Sequence, residues 1–183
     1  MNSLIFSLVT PSYNSDKFIA KTIESILLQE GDFYIDYIIM DGGSTDKTVN
    51  IIKKYETLLR EKKWKVRCQG IEYRWVSEKD NGQADAINKG FDKARGDILN
   101  WINADDRLLP GALSSVARSV RDNPDAGLWV GGCHLVNSTG KVLKEIMPFG
   151  LSKDKLAAWG DKGYFLSTFW FHFSKSVERL LPP

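Results

Sequence analysis

The sequence predicts an α/β fold in which a mostly parallel sheet carries helices on both faces. Two observations predict it: short apolar runs alternate with segments whose apolar residues recur at helical spacing, and a polar turn follows each run. Parallel strands need crossover connections, so this alternation is typical of a parallel sheet covered on both sides. We expect a single domain over residues 1–183, because a chain of 183 residues with 43% hydrophobic content can bury one sizeable core.

Eight segments in the first part of the chain fit this pattern. The run at 4–9 reads LIFSLV and predicts a buried strand. The helix that follows has Phe18, Ile23 and Leu27 at helical spacing, so we expect this face to pack on the sheet. In order, the predicted elements are strand 4–9, helix 16–29, strand 34–40, helix 46–63, strand 72–76, helix 83–94, strand 97–102 and helix 110–120.

Beyond Pro124 the pattern changes to that of a hairpin. Two strand-like segments, 127–136 and 141–146, flank the turn signal at 137–140, which reads NSTG. The C-terminal portion is therefore predicted to be α+β in character. The stretch 59–70 is irregular and basic, and we interpret it as a solvated helix end rather than a binding patch.

Composition excludes several classes of protein. The formal net charge of +2 gives no field strong enough to indicate a nucleic-acid partner or an anionic membrane. The N-terminal apolar run lacks a basic flank and a cleavage site, and no stretch approaches the roughly 20 apolar residues of a membrane span. Cys68 and Cys133 are far apart and form no CxxC pair, which suits a reducing compartment. We expect a cytoplasmic protein, with peripheral contact at the inner face of the membrane left open.

Polar residues follow four successive predicted strands, at the point where each strand ends. In an open parallel sheet these ends meet at one edge, where ligands bind. Carboxylates gathered there would raise one another's pKa unless a cation offset their charge. Hard oxygen ligands of this kind suit Mg²⁺ or Mn²⁺ together with a diphosphate. The residues are Thr10 and Asn14 after the first strand, Asp41 after the second, Glu78 and Asp80 after the third, and Asn103, Asp105 and Asp106 after the fourth.

Two of these turns allow an ordinary structural interpretation as well. An acidic turn such as Asp105-Asp106 is common after a strand, because Asp forms local hydrogen bonds with the backbone. We favour function here because the other strand ends are polar too. In the turn at 41–46, which reads DGGSTD, we expect Asp41 to be functional and Asp46 to be a cap or first-turn charge. A Ser or Thr of this turn can also cap the next helix.

Four motifs, in this order and spacing, resemble family 2 glycosyltransferases of the GT-A fold, a Rossmann-like nucleotide-diphospho-sugar transferase fold. They are TPSYN at 10–14, IMDGGSTDKT at 39–48, SEKDNGQADAINKG at 77–90, and NADD at 103–106 with PGAL at 110–113. The likeness is close over 4–122 and fainter over 150–174, where FLSTFW at 165–170 is similar to the family's acceptor-side segment.

The resemblance implies a role for each motif. Thr10, Pro11 and Tyr13 would border the base of the donor nucleotide, and Asp41 would accept a hydrogen bond from its ring. Further nucleotide contacts would come from Asp80 and Asn103. The family's metal motif is Asp-x-Asp, and its first position here is Asn103, so Mg²⁺ or Mn²⁺ would rest on Asp105 with support from Asp106.

The resemblance also implies that the chain has two halves and that its general base is missing. Residues 1–123 would form the nucleotide-sugar-binding half and 124–183 the acceptor-side half. An inverting transferase needs a general base for the acceptor hydroxyl, and in this family that base follows the acceptor-side segment. This chain ends at Pro183, so we expect a truncated acceptor half without the base. Asp154 and Asp161 are possible stand-ins, whereas Glu178 comes too early in the chain.

The expected function is transfer of a sugar, in cell-envelope polysaccharide synthesis, from a nucleotide-diphosphate donor to a saccharide or lipid-linked acceptor. A UDP-sugar is the favoured donor. Two alternatives stay open: a nucleotide-sugar-binding module without turnover, and a sugar nucleotidyltransferase. The last would need a glycine-rich loop for a triphosphate after the first strand, and residues 10–17 contain no glycine.

Overall fold

The computed structural model describes residues 3–137 and 139–147, together with the backbone of the strand at 170–173. Strands and helices alternate through the first part of the chain, as predicted. The elements are β1 (Leu4–Ser12), α1 (Ile19–Leu27), β2 (Glu30–Asp41), α2 (Thr48–Arg60), β3 (Arg67–Ser77), α3 (Gln83–Asp92), β4 (Ile98–Trp101), α4 (Ala112–Asp122), β5 (Leu128–Val130), β6 (Cys133–Val136), β7 (Val142–Ile146) and β8 (Trp170–Phe173).

The main sheet has six strands in the order β3-β2-β1-β4-β8-β5. Its first four strands are parallel, and β8 runs antiparallel to both β4 and β5. The chain moves outward from β1 through β2 to β3, then returns to the other side of β1 as β4. This reversal beside β1 creates the crevice in which ligands bind in sheets of this kind.

Alternate residues of the central strands face two apolar layers. One layer packs against α1, α2 and α4 and includes Leu8, Tyr37 and Ile39; the other packs against α3 and includes Val9 and Ile38. The central strands are therefore buried on both faces, which explains why their sequences are nearly continuous apolar runs. The prediction of a parallel sheet with helices on both faces is confirmed.

Helix α3 lies unusually close to the centre of the sheet. A Cβ atom added at Gly90 would overlap the side chain of Val9 on β1. Only glycine permits this approach, so α3 sits directly over β1 and its first turn lies beside the ends of the parallel strands.

A buried carboxylate, that of Asp36 on β2, connects several strands of the sheet. It is 3% exposed, and it accepts hydrogen bonds from Ser7 Oγ at 2.7 Å and from the backbone N–H of Arg95 at 3.1 Å. The guanidinium of Arg74 completes the site, with Nη2 lying 2.5 Å from Asp36 Oδ1. These contacts join β1, β2, β3 and the turn before β4.

Several predicted boundaries differ from the structure, and two of the differences change how the strands are arranged. The strand expected over 127–136 divides at Gly131-Gly132 into β5, which joins the main sheet, and β6, which pairs with β7 in a separate hairpin. The glycines carry no side chains that would continue the strand's packing. Strand β3 begins at Arg67, inside the stretch 59–70 that was expected to be irregular.

Among the described residues, no helix is both long and apolar enough to cross a membrane. Cys68 and Cys133 are both free, as expected. Burial raises the pKa of the Cys68 thiol.

Candidate functional site

A cleft of about 910 Å³ opens at the carboxyl ends of the parallel strands. Its walls come from the end of β1 and the loop after it, the glycines that follow β2, the loop between β3 and α3, and the turn after β4. This is the edge at which the sequence predicted a site, and it lies beside the reversal in strand order.

The loop after β1 is braced against the loop after β2. Asn14 is central to this contact: its backbone N–H donates to Ser44 Oγ at 2.8 Å, and its Oδ1 accepts from the backbone N–H of Thr45 at 2.9 Å. Asn14 adopts a φ of 46°, a left-handed conformation that Asn tolerates better than most residues. The brace holds one wall of the cleft, including Tyr13, in a defined position.

Asp46 serves the same brace and the start of α2. Its carboxylate accepts hydrogen bonds from the backbone N–H groups of Thr48 at 2.8 Å and Asp16 at 3.1 Å. Desolvation raises the pKa of Asp46, but hydrogen bonds from Thr48 and Asp16 outweigh it and lower the pKa overall. The expected capping role of Asp46 is confirmed, whereas Ser44 and Thr45 bond to neighbouring loops instead of capping the helix.

Asp41 lies at the end of β2 but is not among the residues that line the cleft. It is 2% exposed, and its Oδ2 accepts hydrogen bonds from Ser77 Oγ at 2.7 Å and from the Ser44 backbone N–H at 3.0 Å. Its Oδ1 accepts a further hydrogen bond from Ser44 Oγ. Asp41 therefore organises the wall of the cleft from behind.

Thr10 has a similar position. It is fully buried, and its Oγ1 accepts a hydrogen bond of 3.0 Å from the hydroxyl of Tyr37. Burial raises the pKa of Tyr37, so this phenol remains a neutral donor. Of the residues expected at the base, Pro11 and Tyr13 line the cleft directly, and Tyr13 is 63% exposed.

Asp80 lies where the loop after β3 meets the glycines after β2. A Cβ atom added at Gly42 would lie 2.7 Å from Asp80 Oδ2, so a larger residue at 42 would displace the carboxylate. Asp80 Oδ1 accepts the backbone N–H of Gly82 at 2.9 Å and so shapes the entry to α3. Both Asp80 and Gly82 line the cleft.

One turn further, Asp85 secures the same loop. The hydrogen bond from the Asn81 backbone, at 3.0 Å, and the ion pair with Lys89, at 2.9 Å, lower the pKa of Asp85. Asp85 is thus part of the loop's internal structure.

The turn after β4 carries the predicted metal ligands. Asp105 lines the cleft, is exposed, and makes no hydrogen bond with any other described residue. Asp106 does not line the cleft, and its Oδ2 accepts a hydrogen bond of 3.0 Å from Asn103 Nδ2. Asn103 also lines the cleft.

We tested whether these residues fit a divalent cation. Within the described part of the chain, no three side chains of His, Cys, Asp or Glu come together to form a complete metal site. Mg²⁺ and Mn²⁺ do not need one, because with nucleotides they use one or two carboxylates together with phosphate oxygens and water. The free, exposed carboxylate of Asp105 fits that mode of binding.

Three further residues of the cleft were not expected there. Phe18 was predicted to face the core, yet it precedes α1, is 53% exposed and lines the cleft. Lys79 and Gln83 also line it. Lys79 could have been found from its position beside Asp80, whereas no feature of the sequence placed Gln83 in the cleft. The possible stand-ins for the base, Asp154 and Asp161, lie outside the described residues, as do Glu178 and the segment 165–169.

Solved structures share this fold at low sequence identity. S. aureus TarS (residues 1–349) aligns with a TM-score of 0.63 at 19% identity, over 92% of this chain and 47% of that one. A mannosyltransferase, PcManGT from Pyrobaculum calidifontis, solved with GDP-Man and Mn²⁺, aligns with a TM-score of 0.58 at 19% identity, over 75% of this chain and 37% of that one. The likeness supports the predicted GT-A architecture.

Sequence relatives agree. An uncharacterized glycosyltransferase of Mycobacterium tuberculosis is 30% identical over 80% of this chain and 52% of its own length. The GalNAc(5)-diNAcBac-PP-undecaprenol beta-1,3-glucosyltransferase of Campylobacter jejuni is 28% identical over 93% of this chain and 52% of its own length. The chain thus spans about half the length of these curated relatives. Residues 7–180 match the family described as Glycosyl transferase family 2, and the chain belongs to that family.

Proposed function

We propose that this chain binds a nucleoside diphosphate sugar in the strand-end cleft and provides the donor site of an inverting glycosyltransferase. The observation that carries the proposal is the joint placement of an exposed aromatic ring, a cation and a free carboxylate, from Tyr13, Lys79 and Asp105, in one cleft. A nucleoside diphosphate presents a flat base, a charged diphosphate and a metal-binding surface, which these groups complement.

The aromatic side chains supply the surface for the base. Tyr13 and Phe18 are 63% and 53% exposed and lie on the same wall of the cleft. Both rings are therefore accessible to a ligand, and stacking of a base on an aromatic ring contributes about 1–3 kcal/mol. Asp41 would accept a hydrogen bond from the base ring, because its buried carboxylate retains acceptor capacity on Oδ1.

Two features of the cleft would bind the diphosphate. Lys79 contributes a positive charge at the mouth of the cleft. The first turn of α3 also reaches it, through Gly82 and Gln83, and no side chain caps that turn. Uncapped N–H groups and the helix dipole favour an anion at this position.

The metal would be held by Asp105, with Asp106 behind it. When bound, Mg²⁺ or Mn²⁺ would neutralise the charge that develops on the departing diphosphate. The chain's own task is to hold the Asp105 carboxylate at the cleft mouth. Neighbouring structures support this choice, since PcManGT was solved with GDP-Man and Mn²⁺ and TarS with UDP-GlcNAc.

The proposal also includes an acceptor and a general base. The undecaprenol-linked substrate in the name of the Campylobacter relative supports a saccharide or lipid-linked acceptor in cell-envelope polysaccharide synthesis. Membership of the transferase family argues against a sugar nucleotidyltransferase. We expect the base that accepts the proton of the acceptor hydroxyl to lie outside the described residues.

Calorimetry tests the proposal. UDP, GDP and dTDP are titrated at up to millimolar concentration with Mn²⁺, with Mg²⁺ and without metal. We expect binding of at least one nucleotide, strongest with metal, and UDP is the favoured ligand. Absence of any binding heat in all three series would contradict the proposed function.

A further inference from the structure

A series of three hydrogen-bonded side chains, two of which line the cleft, runs from α3 to the turn after β4. Gln83 Nε2 donates a hydrogen bond of 2.6 Å to Asn103 Oδ1. Asn103 Nδ2 in turn donates one of 3.0 Å to Asp106 Oδ2. Gln83 is the first residue of α3, so the series links that helix to the turn that carries Asp105.

The carboxylate of Asp106 determines the direction in which these hydrogen bonds run. An ionised carboxylate only accepts hydrogen bonds, so Asn103 must turn its NH₂ group toward Asp106. The amide oxygen of Asn103 then faces Gln83 and requires a donor. Gln83 supplies it, whereas a glutamate of the same shape would place a second acceptor against that oxygen.

The turn itself is closed twice by the same pair of residues. In addition to the side-chain contact, the backbone N–H of Asp106 donates to the carbonyl of Asn103 at 3.0 Å. Ala104 and Asp105 lie between these two bonds, at the tip of the turn. Fixing Asn103 therefore fixes the direction in which the Asp105 carboxylate enters the cleft.

We propose that Gln83 is a positioning residue for the divalent cation site: acting through Asn103, it holds the 103–106 turn so that the Asp105 carboxylate is placed for a metal-bound diphosphate. This inference rests on the proposed function. It assigns Gln83 a role in metal affinity, not in contact with the metal. The neutral amide of Asn103 is essential to it, since a carboxylate at 103 would have no donor for Asp106.

The first test uses the protein without ligand. Side-chain amide signals of Asn103 are followed by NMR in wild type, Gln83→Ala and Gln83→Lys, with Gln69→Ala as the control. Gln69 likewise donates a side-chain hydrogen bond from an exposed position, in its case to the carboxylate of Asp32, and it does not line the cleft. We expect the Asn103 signals to shift and exchange faster in Gln83→Ala, and to stay near wild type in Gln83→Lys, which restores a donor.

The second test measures Mn²⁺ dependence of nucleotide binding in the same proteins and in Gln83→Glu. Loss of one hydrogen bond predicts that Gln83→Ala needs about two- to tenfold more Mn²⁺ for the half-maximal effect. Gln83→Glu should be affected at least as strongly as Gln83→Ala. In Gln83→Lys and Gln69→Ala, the Mn²⁺ concentration for the half-maximal effect should stay within about twofold of the wild-type value. Affinity for nucleotide without metal is measured in each variant as its own baseline, because Gln83 lies in the first turn of α3 beside the proposed diphosphate site.

The outcomes separate the two proposals. Unchanged Mn²⁺ dependence in Gln83→Ala and Gln83→Glu would overturn the role of Gln83 while leaving the donor site intact. Unchanged Asn103 signals in Gln83→Ala would overturn it independently of any ligand. Absence of nucleotide binding in wild type would contradict the proposed function, and with it the role of Gln83 in metal binding. Equal loss of metal-free binding in Gln83→Ala would indicate a general structural role and contradict the inference.

Discussion

Ser77 Oγ donates a hydrogen bond of 2.7 Å to Asp41 Oδ2 and so joins the ends of β2 and β3 at the edge of the cleft. The backbone N–H of Ser44 donates to the same oxygen at 3.0 Å. A carboxylate can accept about four hydrogen bonds, and the third here, from Ser44 Oγ, leaves one acceptor position on Oδ1. Asp41 therefore supports the wall of the cleft, and under the proposed function the remaining position on Oδ1 would accept the hydrogen bond from the base.

Asp41→Asn should weaken both stability and nucleotide binding. The amide presents an NH₂ group to donors that need an acceptor, which leaves buried groups unpaired at a cost of about 1–3 kcal/mol. Urea unfolding measures this cost, and calorimetry measures the binding. Ser77→Ala is the matched control, because it removes one donor and should lower stability by about 1 kcal/mol while binding persists. If Asp41→Asn bound nucleotide like wild type, the base-recognition role would be excluded.

Lys79→Ala should reduce affinity for a nucleoside diphosphate by about two- to tenfold, as expected for an exposed charge-assisted contact. Affinity for the uncharged nucleoside should stay the same, because in the proposed complex the ammonium group of Lys79 interacts with the phosphates and not with the base or ribose. Titrations with UDP and uridine make this comparison, and Lys21→Ala on the exposed surface of α1 is the control. Equal losses for the two ligands would show that Lys79 acts on the shape of the cleft.

Asp105→Ala should abolish the effect of Mn²⁺ on nucleotide binding without lowering the melting temperature. Asp105 is exposed and makes no hydrogen bond with any other described residue, so its loss removes no stabilising contact. Calorimetry with and without metal is paired with thermal unfolding. Asp125→Ala, an exposed aspartate that does not line the cleft, serves as the control. A lower melting temperature for Asp105→Ala alone would point to a structural role instead.

Arg74→Ala should destabilise the fold by about 2–4 kcal/mol, because it leaves the buried Asp36 carboxylate without its cation. The pair is 2.5 Å apart, and the side chains are 24% and 4% exposed. Arg67→Ala breaks an ion pair with Glu30 in which the arginine side chain is 50% exposed and the glutamate side chain 67%. This substitution should therefore lower the free energy of unfolding by less than about 1 kcal/mol. Urea unfolding compares the two. Similar costs would mean that burial of Asp36 contributes little.

The order of elements and the edge that carries the site could be predicted, because both depend on local signals. Each central strand is a continuous apolar run, and each ends in polar residues that the parallel topology brings together. Strand β3 was recognised only in part. It lies at the edge of the sheet, where residues such as Arg67 and Glu72 are exposed to solvent. These charged residues interrupt the apolar pattern by which the first half of the strand could have been recognised.

The finer arrangement of the site depends on tertiary contacts that no local pattern contains. Burial of Asp41 behind the cleft follows from the approach of Ser44, in the loop after β2, and of Ser77, at the end of the neighbouring strand β3. The contact between Gln83 and Asn103 joins residues twenty positions apart. The exposure of Phe18 arises because α1 begins one residue after it, so it is not on the helix face that packs against the core.

The most direct measurement of the central claim is a crystal structure of this protein with UDP or GDP and Mn²⁺. We predict that the nucleotide occupies the strand-end cleft, with its base against Tyr13, its phosphates near Lys79 and the first turn of α3, and Mn²⁺ bound to Asp105. A nucleotide bound elsewhere on the molecule, with the cleft empty, would contradict the account.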